Sequence, residues 1–171
     1  MSPRRPRPVR RSARVLLLDA ADRLLLFRMK DATPGAFCWI TPGGGVRRAE
    51  RVRAAAAREL WEETGLRVAP RDLGARVAWT GGRAEFSWAS GYFEDVFFLH
   101  RVRAHEVDTS HMEELERGQT TAHHWWSLDE LAATGERIHP FGLPGLLGEL
   151  LAGRIPAEPV RLPWHHAQDP G

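Results

Sequence analysis

The chain has 171 residues, of which 43% are hydrophobic, and its formal net charge is +2. This length is enough for one domain with a sizeable core, and the near balance of charge excludes a protein that binds polyanions over its whole surface. The single cysteine, Cys38, excludes an internal disulfide framework and fits a reducing compartment. No run approaches the roughly 20 apolar residues of a membrane span, so we expect a cytoplasmic protein without a membrane partner.

The beginning of the chain is rich in arginine and proline. Its first fourteen residues contain Arg4, Arg5, Arg7, Arg10, Arg11 and Arg14. Like charge and proline both oppose packing, so we predict a disordered basic arm over residues 1–12. The arm is either a solvated tail, which we favour, or the one part of the chain that contacts nucleic acid or anionic lipid.

The next segment predicts strands that lead into a glycine loop. Apolar runs at 14–18 and 24–28 flank a polar turn and indicate a hairpin. A short strand is expected at 37–40. The Thr-Pro-Gly-Gly-Gly run at 41–45 breaks it and gives the backbone freedom to approach a ligand or metal closely.

Residues 49–64 predict a helix. Four consecutive alanines at 54–57 are the best helix formers, and Gly65 stands where a left-handed C-cap is expected. Val52, Ala56 and Leu60 are expected to pack inward.

The rest of the chain predicts further strands and short helices. We expect strands at 73–80 and 92–102, turns at 81–83 and 89–91, and a strand at 84–88 between them. A polar loop with a short helix is expected at 104–121, followed by a strand at 124–127. Ser127 and Glu130 form a capping-box pattern for a helix through 133. A leucine-rich helix at 142–152 and an extended tail at 156–171 follow, so the predicted domain covers 13–155.

Three carboxylates fall on the predicted helix 49–64, at Glu59, Glu62 and Glu63. Spacings of three and four residues place side chains on one helical face. Three like charges there repel one another, and a divalent cation offsets that repulsion. Magnesium prefers carboxylate oxygens and is often completed by substrate phosphates.

The stretch from Gly44 to Leu66 resembles a known family signature. Gly44, Glu50, Arg58-Glu59-Leu60, Glu62-Glu63 and Gly65-Leu66 occupy nine fixed positions over 23 residues, and all match the signature of the Nudix (MutT-like) hydrolases. The segments 14–28, 39–45 and 125–131 also resemble the family. The fold that this resemblance implies is an α/β (α+β) protein, an α/β/α sandwich with a mixed, curved sheet.

The resemblance also implies roles for the signature residues. The Gly44 carbonyl with Glu59, Glu62 and Glu63 would hold Mg²⁺ or Mn²⁺, and Arg58 would hold a glutamate of the signature in place. Glu50 would brace the loop, and Gly65 would end the helix. Arg58 and Glu63 therefore count as catalytic candidates.

The general base and the substrate contacts lie partly outside the signature. Relatives often place a base on the loop before the closing strand. Gln119 of this loop cannot act as a base, so Glu116 is the first candidate and Glu63 the alternative. For substrate binding we assign Arg28, Arg47 and Tyr92.

Eight histidines include two adjacent pairs, His123-His124 and His165-His166. Neighbouring side chains in a strand point to opposite faces, so we expect neither pair to form a metal site.

The implied activity is divalent-metal-dependent pyrophosphohydrolysis. Such an enzyme cleaves the diphosphate bridge of a nucleoside diphosphate linked to another group. The chain lacks the markers of the ADP-ribose, dinucleoside-polyphosphate and coenzyme A branches, which favours a nucleoside triphosphate-like small molecule. The alternative is a ligand sensor or nucleic-acid-binding regulator with the same fold and no turnover. Oligomeric state is not readable from the sequence.

Overall fold

The computed structural model describes residues 5–31 and 33–166. The strands of this part are β1 (Arg10–Leu18), β2 (Leu24–Lys30), β3 (Phe37–Ile40), β4 (Gly43–Gly45), β5 (Arg76–Glu85), β6 (Ser90–Arg101), β7 (Thr120–Trp126), β8 (Ile138–His139) and β9 (Val160–Arg161). The helices are α1 (Val52–Thr64), α2 (Glu114–Gln119), α3 (Leu128–Ala133) and α4 (Leu143–Leu151), with a 3-10 turn at Pro70–Asp72.

The strands form one mixed sheet in the order β8-β3-β2-β1-β6-β5-β9. Strand β4 pairs with β1, and β7 pairs with β2, so the sheet divides around the β1–β2 hairpin. The β1–β6 pairing is parallel over nine residue pairs, whereas β5–β6 is antiparallel. This arrangement confirms the predicted mixed, curved sheet.

Helices cover both faces of the sheet because β1 and β2 are apolar on both sides. Leu16 and Leu18 of β1 pack with α3 and α4, where Leu143 and Leu147 are fully buried. The alternate residues of β1 belong to a second cluster with Ala55, Ala56 and Leu60 of α1. A strand that is buried on both faces needs apolar residues at every position. The sequences of β1 and β2 contain such unbroken apolar runs at 15–18 and 24–27.

Helix α1 begins three residues later than predicted, at Val52. Ala49 has a positive φ of 62°, and the Glu50 carboxylate accepts a hydrogen bond from the Arg47 backbone N–H at 2.9 Å. Residues 47–50 therefore form a turn. The helix ends as predicted, with Gly65 in the left-handed conformation at φ 74°.

The prediction of turns at 81–83 and 89–91 around a strand at 84–88 was wrong, because a single turn at 86–89 joins β5 to β6. Strand β5 runs unbroken through Gly81 and Gly82 to Glu85. A Cβ at Gly82 would lie 2.3 Å from Cδ1 of Trp164, so this glycine leaves room for a ring that crosses the strand. The two glycines resemble turn residues in the sequence, but in the structure they allow neighbouring groups to pack closely against the strand.

Strand β1 includes residues 10–12 of the predicted arm. Arg11 is held there by its Nε–H, which donates to Glu94 Oε1 at 2.7 Å, and the Arg5 guanidinium lies 3.6 Å from the centre of the Trp79 ring. Strands β6 and β5 supply these two partners, which sequence composition does not reveal. Residues 1–4 lie outside the described part.

The predicted tail is extended but paired, because β9 lies parallel to β5 and Leu162 is buried. Residues 167–171 lie outside the described part. The capping box at Ser127 is confirmed, since both of its hydrogen bonds form. Among the described helices, none has the length and apolar character needed to cross a membrane.

Candidate metal and catalytic site

Three glutamates of α1 are buried beside the glycine strand β4. Glu59, Glu62 and Glu63 are only 4%, 9% and 8% exposed. Oxygen atoms of Glu59, Glu63 and Glu116 all lie within 4.8 Å of one another. The predicted spacing therefore places carboxylates on one face, but that face points inward rather than into solvent.

Strand β4 can approach α1 because its residues lack side chains. A Cβ at Gly44 would lie 2.7 Å from the carboxyl carbon of Glu59. The Gly43 backbone N–H donates to Glu63 Oε2 at 2.8 Å, and Gly43 has a φ of 144° that favours glycine. The glycine run thus brings the backbone against the carboxylates.

Arg58 connects the 47–50 turn, the glycine strand and two of the glutamates. Its Nε–H and one Nη2 hydrogen donate to the Glu50 carboxylate at 2.8 and 3.0 Å. Nη1 donates to Glu59 at 2.7 Å and to Glu62 at 3.3 Å, and Nη2 also donates to the Gly45 carbonyl at 3.0 Å. The planar guanidinium therefore fixes the turn, the glycine strand and two carboxylates together.

The electrostatics of the cluster favour an added positive charge. Burial raises the pKa of Glu63 well above its usual value, despite the opposing hydrogen bond from Gly43. Burial likewise raises the pKa of Glu59 and of Glu116, and neighbouring carboxylates add to both effects. One oxygen each of Glu59 and Glu116 is buried without a hydrogen-bond partner among the described residues. Orphaned carboxylate oxygens at this spacing fit a hard divalent cation such as Mg²⁺ or Mn²⁺.

Glu116 reaches the cluster from helix α2, which lies before β7. Glu116 is far from α1 in sequence, so only the folded structure shows that it lies close to Glu59 and Glu63. Gln119, at the end of the same helix, is exposed and is not part of the cluster. The structure thus places Glu116, the first candidate for the general base, beside Glu59 and Glu63.

A cavity of about 270 Å³ adjoins the carboxylate site. Arg14 connects the two, because it lines the cavity and also donates to the Thr41 carbonyl at 3.0 Å and the Gly43 carbonyl at 3.5 Å. Asp95, which accepts a hydrogen bond from Arg14 at 3.4 Å, lines the same space. Phe86, Trp88, Phe93 and Trp164 supply aromatic walls.

Cys38 also lines this cavity, and burial raises its thiol pKa to about 11. The thiol is therefore protonated at neutral pH, as in a buried cysteine that packs as a small apolar residue.

The structure separates the three residues assigned to substrate binding from this cavity. Arg28 lies over the Phe37 ring at 3.8 Å, and the Tyr92 hydroxyl lies beside Gly81. Neither residue is among the described residues that line the cavity. Arg47 lies nearer to the carboxylates, with Nη2 at 3.6 Å from Glu62 and 3.3 Å from Glu113.

Sequence reasoning missed Arg10, because it was assigned to the basic arm. Arg10 lines the cavity, and a Cβ at Gly45 would lie 3.0 Å from its Nε. Its exposed guanidinium therefore lies between the glycine strand and the cavity. The parallel pairing of β1 with β6, which no local pattern indicates, places it there.

The raised pKa of Glu63 predicts a cost of ionisation in the metal-free protein. The unfolded chain has the ordinary glutamate pKa, so the folded state binds the proton more tightly. Stability therefore falls as the pH rises through the folded pKa. Glu63→Gln keeps an acceptor for the Gly43 N–H and removes the charge. We expect the variant to unfold at higher urea concentration than wild type in EDTA at pH 7.5, with a smaller difference at pH 5.

Two controls make this comparison specific. Glu114→Gln changes an exposed glutamate and should leave the urea midpoint unchanged. Millimolar Mg²⁺ should stabilise the wild type more than Glu63→Gln, because binding to the folded state adds stability. A Glu63→Gln midpoint below that of wild type at pH 7.5 would contradict the assigned cost.

Two curated proteins share a segment of sequence with this chain. A segment 41% identical over 59 residues occurs in an RNA pyrophosphohydrolase of Roseobacter denitrificans, and covers 34% of this chain and 36% of that protein. A second segment is 36% identical over 64 residues to the m7GpppN-mRNA hydrolase NUDT17 of Danio rerio, and covers 36% of this chain and 21% of that protein. The chain therefore matches only about a third or less of the length of these curated relatives.

A likeness in fold extends over most of the chain. The MutT protein from Methanosarcina mazei aligns with a TM-score of 0.62 at 21% identity, covering 87% of this chain and 97% of that one. The NUDIX domain model matches residues 8–142, well over half of the chain. The chain therefore belongs to the NUDIX family of hydrolases.

Proposed function

We propose that the protein hydrolyses phosphoric anhydride bonds of nucleoside triphosphate-like substrates with the help of a divalent cation. The observation that carries this proposal is the joining of two sites by Arg14. One site is the buried carboxylate cluster of Glu59, Glu63 and Glu116, and the other is the aromatic-lined cavity. A planar base in the cavity would place the attached phosphates toward the glycine strand and the carboxylates.

The proposed cation ligands are Glu59, Glu62, Glu63 and the Gly44 carbonyl. When bound there, Mg²⁺ or Mn²⁺ polarises phosphoryl oxygens and offsets developing negative charge. Arg58 positions Glu59 and Glu62 for this task through its hydrogen bonds to both. Arg10, exposed between β4 and the cavity, is suited to contact the phosphates of the substrate.

Glu116 is proposed as the general base. Burial raises the pKa of Glu116 toward neutral pH, which makes its carboxylate a more effective acceptor of a proton from water. One of its oxygens lacks a partner in the described structure, so it is available for that contact. Glu63 is less suited, because Gly43 already donates a hydrogen bond to it.

The alternative function, a sensor or regulator that binds nucleic acid through the arm, has less support. Arg5 and Arg11 both approach the Glu94 carboxylate, at 3.8 and 2.7 Å, so part of the arm's charge is already compensated within the protein. The complete carboxylate cluster also has no evident use in such a protein. The names of the two curated relatives make 5′-phosphorylated RNA an informative comparison substrate.

The proposal predicts which substrates are cleaved. Nucleoside triphosphates, nucleotide sugars, dinucleotides and 5′-triphosphorylated RNA would be incubated with Mg²⁺, and the released phosphate products measured. We expect turnover of a nucleoside triphosphate, its loss in EDTA, and its loss in Glu63→Gln. Turnover of RNA without turnover of free nucleotides would overturn the small-molecule assignment. No turnover of any substrate with Mg²⁺ or Mn²⁺ would overturn the enzyme assignment.

The role of Glu116 can be separated from a general effect of charge on α2. Glu116→Gln should lower kcat by about 10²-fold or more, because a positioned base contributes this much. Glu114→Gln, on the same helix but exposed, is the matched control and should keep wild-type kcat. A kcat for Glu116→Gln within a few-fold of wild type would remove Glu116 from the mechanism and leave Glu63 as the base.

A further inference from the structure

Three histidines from distant parts of the chain meet at one wall of the cavity. His139 lies at the end of β8, whereas His165 and His166 follow β9. The ring centres of His139 and His165 are 4.4 Å apart, those of His165 and His166 are 4.4 Å apart, and those of His139 and His166 are 5.4 Å apart. One ring nitrogen of each histidine lies within 4.8 Å of those of the other two.

This meeting removes the reason for expecting that His165-His166 does not form a metal site. That expectation assumed a strand, where neighbouring side chains diverge. The structure places both residues in a turn, so their rings lie on the same side and face His139. The other pair, His123-His124, does lie in strand β7 and is exposed.

The segment that carries His165 and His166 is firmly attached to the sheet. We call residues 160–166 the C-terminal strap. The Leu162 N–H donates to the Trp79 carbonyl at 2.9 Å, and the Thr80 hydroxyl donates to the carbonyls of Leu162 and Pro163. Trp164 Nε1–H donates to the Arg83 carbonyl at 3.0 Å. The strap therefore holds the histidines in place before any ligand binds.

Two of the imidazoles are buried with an unsatisfied nitrogen. His139 is 6% exposed, the His165 side chain is also 6% exposed, and neither His139 Nε2 nor His165 Nδ1 has a partner among the described residues. Leaving a buried polar atom without a partner costs roughly 1–3 kcal/mol. Two such atoms in one cluster indicate that a ligand completes the site.

Burial of the cluster disfavours charged imidazolium rings, and one carboxylate lies close to it. Burial lowers the pKa of His139 to about 4 and that of His165 to about 2, and neighbouring histidines add to both shifts. His165 Nε2 lies 3.8 Å from Asp95 Oδ2, an oxygen that also accepts a hydrogen bond from Arg14.

We propose that His139, His165 and His166 form a second metal site, which binds a transition-metal ion of the Zn²⁺ class. Its nitrogen ligands distinguish it from the all-oxygen carboxylate site, because imidazole suits zinc and its neighbours whereas magnesium prefers oxygen. Zinc–nitrogen bonds of about 2.0–2.1 Å require the three nitrogens to approach one another by rotation of the rings. The bound ion would join the strap to β8 and leave a fourth position facing the cavity.

The test is a titration of the full-length protein with Co²⁺ as a coloured substitute for Zn²⁺. Metal is first removed with EDTA, and Mg²⁺ is then added in excess to occupy the carboxylate site. Four-coordinate Co²⁺ with nitrogen ligands absorbs visible light far more strongly than six-coordinate Co²⁺ with oxygen ligands. We expect one equivalent of Co²⁺ to produce the strong band and one equivalent of Zn²⁺ to remove it.

Variants assign the band to one site. His165→Ala/His166→Ala should abolish it, whereas the matched control His123→Ala/His124→Ala, which removes the exposed adjacent pair, should retain it. Glu59→Gln/Glu63→Gln should also retain it, which separates this site from the proposed catalytic one. Circular dichroism establishes that each variant is folded, and His139→Gln provides a second, milder removal of a ligand.

Two results would overturn the proposal. One is a wild-type protein that shows no strong band with stoichiometric Co²⁺, a result that does not depend on any variant. The other is a folded His165→Ala/His166→Ala protein that binds Co²⁺ with an unchanged spectrum. In either case the three rings would form only a packed aromatic cluster.

Discussion

Glu59, Glu62 and Glu63 are buried together on one helix. The Arg58 guanidinium, through its positive charge, offsets part of the repulsion between their carboxylates. Its five hydrogen bonds connect Glu50, Glu59, Glu62 and the Gly45 carbonyl. These contacts and the surrounding negative charge raise the pKa of Arg58, so it stays charged. A buried cluster of like charges with one fixed cation is still short of positive charge. That shortage is the physical basis for expecting a divalent metal, and it places a stability cost on the metal-free protein.

The position of the glycine strand follows from the same constraint. Strand β4 lies between β1 and α1, where Arg58 holds Gly45 from one side and Arg14 reaches the Gly43 carbonyl from the other. Gly43 and Gly44 fit in this position because they lack side chains. Any side chain there would collide with β1 or with Glu59. Arg14 then carries the connection onward to Asp95 and the cavity. The carboxylate site and the cavity proposed for the nucleobase of the substrate are thus connected by hydrogen bonds.

Structural features that depend on residues close in sequence could be predicted. Features that depend on contacts between distant parts of the chain could not be predicted from local patterns. The Gly65 cap, the Ser127 capping box and the buried face of α1 depend on neighbours within one helical turn. The resemblance from Gly44 to Leu66 added the signature residues at the carboxylate site. Glu116 was a candidate only through the family resemblance, and the position of α2 brings it to Glu59 and Glu63. Arg10 and the three histidines owe their positions to the β1–β6 pairing and to the C-terminal strap, which no local pattern indicates. Gly81 and Gly82 were misread for the same reason, since the Trp164 ring that requires Gly82 lies about eighty residues away.

The central claim is that Arg58 holds the carboxylates in a geometry that binds metal. The most direct test is a Mn²⁺ titration of wild type and Arg58→Lys, followed by the paramagnetic signal of free Mn²⁺. Lysine keeps the charge but cannot make the forked contacts to Glu50 and Glu59 at once. We expect the variant to bind Mn²⁺ about 10–100-fold more weakly, as found when groups that orient metal ligands are removed. Equal affinity in a folded Arg58→Lys protein would show that charge alone suffices, and would contradict the account.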